Sequence, residues 1–184
     1  GEEGKVITEN ALDLLRVDPL GMPWIPSKLN ENLQQGGLLE GNGGNITENI
    51  SMKGKKMAIY FSASWCAPCK TFTPKLKEAY AAFDLEKNNA DVLFVSLDQE
   101  EEAFDTYRAS MPWPAVPFRD ARRATLQMGL GVKSIPALIV IDENGVVLTG
   151  SGVTPITKNA TLAELFENKN EVMDLSGSAV EIIQ

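Results

Sequence analysis

The feature that most limits how this chain can fold is a junction near residue 65, where a short apolar run meets a pair of cysteines. Met57-Ala58-Ile59-Tyr60-Phe61 has no polar interruption, the pattern of a strand covered on both faces. Trp65-Cys66-Ala67-Pro68-Cys69-Lys70 follows at once. Beyond it Phe72, Leu76, Ala79, Tyr80 and Phe83 fall on one helical stripe. Pro68 belongs in the first turn of that helix, where its missing N–H costs nothing; Pro74, further in, predicts a kink. The cysteines therefore sit on a strand-to-helix turn.

That placement carries the chemistry. A thiol at a helix N-terminus faces the positive end of the dipole and unpaired backbone N–H groups, and both favour thiolate. A spacing of three puts both sulfurs on the first turn, close enough to bond. Cys66, at the exposed start, is the expected nucleophile; Cys69, one turn in and more buried, is the expected resolving thiol. Three plainer readings compete: two structural cysteines paired by chance, half of a zinc site completed across a dimer, and a purely structural disulfide. The strand-to-helix setting argues against the first. A zinc site normally takes four Cys or His ligands, and a loop this short would constrain the unfolded chain little.

Composition removes the rivals to sulfur chemistry. The chain has no histidine among its 184 residues, so Ser-His-Asp and Cys-His catalysis are excluded. Its formal net charge is −8, without the Lys/Arg stripes that phosphate binding needs, which argues against nucleic acid as a partner. The acidic run from Asp98 to Glu102 reads as a solvated helix start. No apolar stretch approaches the ~18 residues that span a bilayer, and Gly1-Glu2-Glu3 lacks the basic and apolar regions of a secretory leader. Sequons at Asn45, Asn49 and Asn159 matter only in a secreted protein.

Residues 1–50 read as an extension packing on the core, 51–170 as the domain proper and 171–184 as a tail. In the extension, helical spacing over Ile7 to Leu15 ends near Asp18-Pro19, and Leu38-Leu39 and Ile46 flank the turn residues Gly41-Asn42-Gly43-Gly44 as a hairpin. In the domain, Val92 to Leu97 is a second buried strand and a helix runs from about Glu100 to Ala109. Met111-Pro112-Trp113-Pro114 breaks the pattern. A helix over Ala121 to Met128 stops at Gly129 and Gly131. Strands Ala137 to Ile141 and Val146 to Thr149 are joined by Asp142-Glu143-Asn144-Gly145, a hairpin signal. A last helix covers Leu162 to Phe166, and a short strand is expected at Val180 to Ile182. This order predicts an α/β fold: a central mixed β-sheet, parallel at the helical crossovers, antiparallel at the closing hairpin, with helices on both faces.

That layout resembles the thioredoxin-like fold, and three segments narrow the resemblance. Phe61-Ser62-Ala63-Ser64-Trp65-Cys66-Ala67-Pro68-Cys69-Lys70-Thr71-Phe72-Thr73-Pro74 looks like the redox segment of the tryparedoxin and nucleoredoxin family, which usually has Pro-Pro between its cysteines. Met111-Pro112-Trp113-Pro114-Ala115-Val116-Pro117-Phe118 resembles a signature of the same family, and so does Ser134-Ile135-Pro136-Ala137-Leu138-Ile139. Departures discriminate within it. Thioredoxins carry a buried Asp where this chain has Tyr60. The Trp-Asp-Glu of tryparedoxins is Leu97-Asp98-Gln99, and their arginines after the hairpin correspond to Gly150 and Gly152, which weakens the case for trypanothione as donor. The Phe-Pro-Trp that often closes the domain is missing near Glu164-Leu165-Phe166. Phe94-Val95-Ser96, Ala121-Arg122-Arg123 and Val172-Met173-Asp174-Leu175 look closer to nucleoredoxin.

The resemblance implies reversible thiol–disulfide exchange of the protein-disulfide reductase type, centred on Cys66 and Cys69, with protein disulfides as substrates. An upstream reductase or a low-molecular-weight thiol restores the dithiol, and neither a bound cofactor nor a metal is required. In this fold Pro136 is cis and faces the cysteines, which leaves Ile135 free to pair with an extended substrate. Trp65, Ala67 and Pro68 complete the substrate platform; Trp113, beside two prolines, either flanks it or packs into the core. The expected protein is a monomer in the cytoplasm and also the nucleus, bound to no membrane. Two other readings stay open: a redox-regulated protein-binding module of nucleoredoxin type, and an exported thioredoxin-like reductase with its signal removed.

Overall fold

The structure is a computed structural model and describes residue 33, residues 36–48 and residues 50–167. The helix expected over 7–15 and the strand at 180–182 lie outside the described residues. In chain order the elements are β1 (Leu38–Leu39), β2 (Ile46–Thr47), β3 (Lys56–Ser62), α1 (Ala67–Ala81), α2 (Leu85–Asn88), β4 (Ala90–Ser96), α3 (Glu101–Arg108), α4 (Ala121–Gly129), β5 (Ala137–Ile141), β6 (Val147–Thr149), α5 (Val153–Thr157) and α6 (Leu162–Glu167). The α2 and α5 turns are too short for a periodic signal.

Four strands form the main sheet in the order β4-β3-β5-β6. The apolar run at 57–61 becomes its interior strand. β3 pairs parallel with β4, from Lys56 opposite Ala90 to Ser62 opposite Ser96, and antiparallel with β5, from Met57 opposite Ile141 to Phe61 opposite Ala137. Strand alternation sends successive side chains to opposite faces. Ala58, Tyr60, Val92, Phe94, Leu138 and Val140 meet Phe72 and Leu76 of α1 and Leu165 and Phe166 of α6. Met57, Ile59, Phe61, Leu93, Val95, Ile139 and Ile141 meet Leu126 and Leu130 at α4. Each face of β3 is therefore sealed, and its C-terminal end delivers the redox turn.

The Met111-Pro112-Trp113-Pro114 break is less irregular than its prolines suggest. Phe94 N–H donates to the Pro114 carbonyl at 2.9 Å, and Ala115 exchanges two 2.9 Å bonds with Leu39 of β1. This segment thus splices the β1–β2 hairpin onto the edge of β4. At the turn, Gly41 passes so close to the Pro112 carbonyl that a Cβ there would collide with it.

Arg122, 8 % exposed, clamps the extension to α4. Its guanidinium donates to the carbonyls of Gly36 at 3.2 Å and Gly37 at 2.7 Å, and pairs with Asp120 at 2.7 Å. Burial by itself would raise Asp120, but hydrogen bonds from the Arg122 side chain and backbone hold its carboxyl below the usual range. A depressed carboxylate stabilises the fold above its unfolded value of about 3.9 and loses that contribution as pH falls through the folded one. Arg122→Ala is therefore expected to raise amide exchange over residues 36–41 while β3–β5 stay protected. In the unmodified protein the same amides are expected to loosen as the pH drops below about 4. Exchange mass spectrometry checks both.

Candidate active site

Cys66 is the N-cap of α1. Its backbone is extended (φ −85°, ψ 106°), and its sulfur accepts the Cys69 backbone N–H at 3.3 Å. The sulfur thus occupies the place where a Ser or Asp oxygen would satisfy an orphan amide. When the pair is reduced, negative charge on that sulfur strengthens the bond, since charge-assisted hydrogen bonds are the stronger ones. No acidic residue stands in the first turn to oppose it. Pro68 lies at the start of the helix, and Pro74 sits inside an element that continues to Ala81.

The two sulfurs are bonded, with Cα atoms 5.2 Å apart. Cys69 is fully buried and Cys66 retains 5 % exposure. The start of the helix is exposed at Ala67 and Pro68, whereas Cys66 as a residue is buried, a correction to the exposed position expected from chain order alone. Ala63 packs against the pair, with Leu97 and Ile135 at its margin.

The Ile135-Pro136 peptide bond is cis. The ladder between β3 and β5 ends at Ala137, so Ile135 stands beyond it, with its carbonyl oxygen 3.8 Å from the Cys66 sulfur. Trp65 is 64 % exposed beside the pair. Trp65, Ala67, Pro68, Ile135 and Pro136 are therefore gathered around Cys66. Trp113 is not among them: it is 1 % exposed, wedged edge-on between Tyr60 and Tyr80. A large ring beside two prolines packs inward because burying it outweighs leaving it in water.

Behind the cysteines lies a polar layer that sequence reasoning missed. Asp98 is 2 % exposed, not part of a solvated helix start; only the rest of the run, Gln99 to Glu102, faces solvent. One carboxylate oxygen accepts the Ser64 N–H at 2.9 Å and the Ser64 hydroxyl at 2.8 Å. The other accepts the Ser96 hydroxyl at 2.8 Å. Arg123 fixes the same loop from α4, donating to the Ser96 and Asp98 carbonyls at 2.7 Å each with its guanidinium over the Phe118 ring. Asp98 thus ties the end of β4 to the residue before Trp65. In the family pattern the retained Asp of Leu97-Asp98-Gln99 was its one signal.

Tyr60, in the position where thioredoxins have an aspartate, is fully buried. Its hydroxyl lies 2.9 Å from Thr73 Oγ1, and burial pushes it well above its ordinary value, so it stays neutral. Gly152 donates its N–H to the Leu138 carbonyl at 3.0 Å, and a Cβ there would meet that carbonyl and the Leu138 side chain. A larger side chain at this point would require the Leu138 backbone to shift.

Among the described residues, no group of three or more His, Cys, Asp or Glu side chains could hold a metal ion, and no helix is long and apolar enough to cross a membrane.

The sequence model of the thioredoxin-like family matches residues 54–147. Human nucleoredoxin is 38 % identical over 178 residues, covering 95 % of this chain and 40 % of that protein. The tryparedoxin of Trypanosoma brucei brucei is 43 % identical over 103 residues, 55 % of this chain and 70 % of that one. A solved tryparedoxin II, complexed with glutathionylspermidine, superposes with a TM-score of 0.63 at 36 % identity, covering 72 % of this chain and 93 % of that chain. The chain spans about two fifths of the length of human nucleoredoxin.

Proposed function

This chain belongs to the thioredoxin-like family, in its tryparedoxin and nucleoredoxin branch, and carries that family's thiol–disulfide oxidoreductase centre; from this premise we propose that it reduces protein disulfides, with Cys66 attacking and Cys69 resolving. The observation that carries the reading is the Cys66 sulfur capping α1, within bonding distance of Cys69 and beside the Ile135 carbonyl.

In the forward reaction the Cys66 thiolate attacks one sulfur of a substrate disulfide, and the other substrate sulfur leaves as a thiolate. Cys69 loses its proton and attacks the Cys66 sulfur. The mixed disulfide breaks, the substrate departs with both sulfurs reduced, and Cys66 and Cys69 are left bonded. Two electrons have moved from the pair to the substrate. Thioredoxin-like proteins use this cysteine pair without a bound cofactor. The exposed Trp65 ring, with Ala67 and Pro68, forms an apolar shelf for an extended substrate, which pairs with the backbone of Ile135 beside Pro136.

The oxidised pair is recharged by an upstream reductase or a low-molecular-weight thiol. Glutathionylspermidine bound to the tryparedoxin relative supports a thiol donor of that class; a dependence on trypanothione itself is disfavoured by the packed glycine at 152. The domain proper is assigned to residues 51–170, with 1–50 as its extension and 171–184 as a tail. We assign a monomer working in the reducing cytoplasm and nucleus, where the glutathione poise favours the dithiol.

Trapping tests the reading. Cys69→Ser is expected to capture protein substrates from a reduced extract as mixed disulfides on Cys66, released by dithiothreitol. Capture by Cys66→Ser through Cys69 to the same extent would reverse the assigned roles. Partners that bind independently of both cysteines would favour a redox-regulated binding module.

A further inference from the structure

A hydroxyl cluster lies beneath the redox turn and meets it at the Cys69 carbonyl. Thr73 Oγ1 lies 2.9 Å from the Cys69 carbonyl, 2.9 Å from the Tyr60 hydroxyl and 2.8 Å from the Tyr107 hydroxyl. Tyr107 in turn lies 3.0 Å from Ser62 Oγ. A hydroxyl has one proton to donate and two lone pairs to accept with. The only neighbour of Thr73 that cannot donate is the carbonyl, so the Thr73 proton goes to Cys69 O. Tyr107 then donates to Thr73, and the Tyr60 hydroxyl, 3.5 Å from the same carbonyl, is shared between Thr73 and Cys69 O. Tyr107, its proton spent, accepts from Ser62.

The cluster therefore forms one connected hydrogen-bond chain that ends on the Cys69 carbonyl. Such chains polarise one another in a low-dielectric interior. Tyr60, Ser62 and Thr73 are all below 5 % exposure, while Tyr107 and Thr73 also border an open cleft between α1 and α3, with Lys70, Lys77 and Ser110 on its walls. Around the cysteine sulfurs the packing is apolar, from Ala63, Leu97 and Ile135. Among the described residues, the side-chain hydroxyls that reach residue 69 are those of Tyr60 and Thr73, both at its carbonyl. None touches the Cys66 sulfur, whose contacts are the Cys69 amide and the Ile135 carbonyl.

We infer that Thr73, Tyr60 and Tyr107 are positioning residues for the second half of the reaction alone: they hold the Cys69 turn in the geometry from which its thiolate forms and attacks Cys66. The inference rests on Cys69 being the resolving thiol. In the step concerned, the Cys69 proton passes to water, the Cys69–Cys66 bond forms, the bond from Cys66 to the substrate breaks, and the substrate sulfur leaves as a thiolate.

The two half-reactions are separable with 5,5′-dithiobis(2-nitrobenzoic acid), which releases one coloured thiolate when Cys66 attacks and a second when Cys69 resolves. In single-turnover stopped flow, Thr73→Val and Tyr107→Phe are expected to leave the first phase within about twofold. The second phase should slow about tenfold, the equivalent of one lost hydrogen bond, and its pH midpoint should rise. Thr73→Ser, which keeps the hydroxyl, should restore it. Native second-phase rates and pH profiles in both variants would overturn the inference, and so would equal slowing of both phases, the mark of general loosening. Should Thr73→Val fail to fold, Tyr107→Phe decides, since it removes only an oxygen. Failure of the unsubstituted protein to release the first thiolate from Cys66 would sink the underlying redox reading instead.

Discussion

Cys66→Ser is expected to bring insulin-disulfide reduction down to the rate of dithiothreitol alone. Serine can still cap α1, because its oxygen accepts the Cys69 N–H as well as sulfur does, so the fold survives. What disappears is the nucleophile: a serine hydroxyl is not ionised near neutral pH, and no histidine exists in the chain to activate it. Cys69→Ser also stops turnover but by another route, since Cys66 still attacks and then stalls as a mixed disulfide. The pair of variants thus separates attack from resolution. Rates for Cys66→Ser equal to those of the unsubstituted protein would remove the catalytic role of the motif.

Asp98→Ala is expected to destabilise the fold by about 2–3 kcal/mol, on the scale of hydrogen bonds to a charged group. The substitution strands the Ser64 amide and the Ser96 hydroxyl, both held by a carboxylate that is itself 2 % exposed. Asp98→Asn keeps one acceptor for the Ser64 N–H and should cost less. Urea denaturation gives the stability change from the shift in midpoint at constant slope. Because Ser64 immediately precedes Trp65 and Cys66, Asp98→Ala is also expected to slow alkylation of Cys66 in protein that remains folded. A variant as stable as the original, with native alkylation, would mean that the Asp98 clasp contributes nothing.

The sheet and the redox turn were legible because their signals are local. The apolar run 57–61, the Asn144-Gly145 turn and the stripe from Phe72 to Phe83 each specify an element from within a few residues, and β3, the β5–β6 hairpin and α1 formed where expected. The cap at Cys66 follows from chain order alone. The layer behind the cysteines was not legible, because its bonds span 34 residues from Ser64 to Asp98 and from Thr73 to Tyr107. A run of acidic residues looks the same in sequence whether its first member points into solvent or back under a loop. Trp113 was ambiguous for a related reason: prolines at 112 and 114 suggest a surface turn, while the neighbouring backbone pairs with β4 and turns the ring inward. The hairpin at 38–47 could be read, but its attachment through Ala115 joins positions more than seventy apart and needed the fold.

The central claim is that Cys66, by capping α1, is the thiolate nucleophile and that Cys69 is not. Alkylation of the reduced protein with iodoacetamide, followed residue by residue by mass spectrometry from pH 5 to 10, tests it most directly. Cys66 is expected to be modified first and to reach half its plateau rate well below pH 8.5, about where a free cysteine titrates, while Cys69 stays protected in the fold. Modification of Cys69 ahead of Cys66, or a Cys66 profile no lower than that of free cysteine, would contradict it.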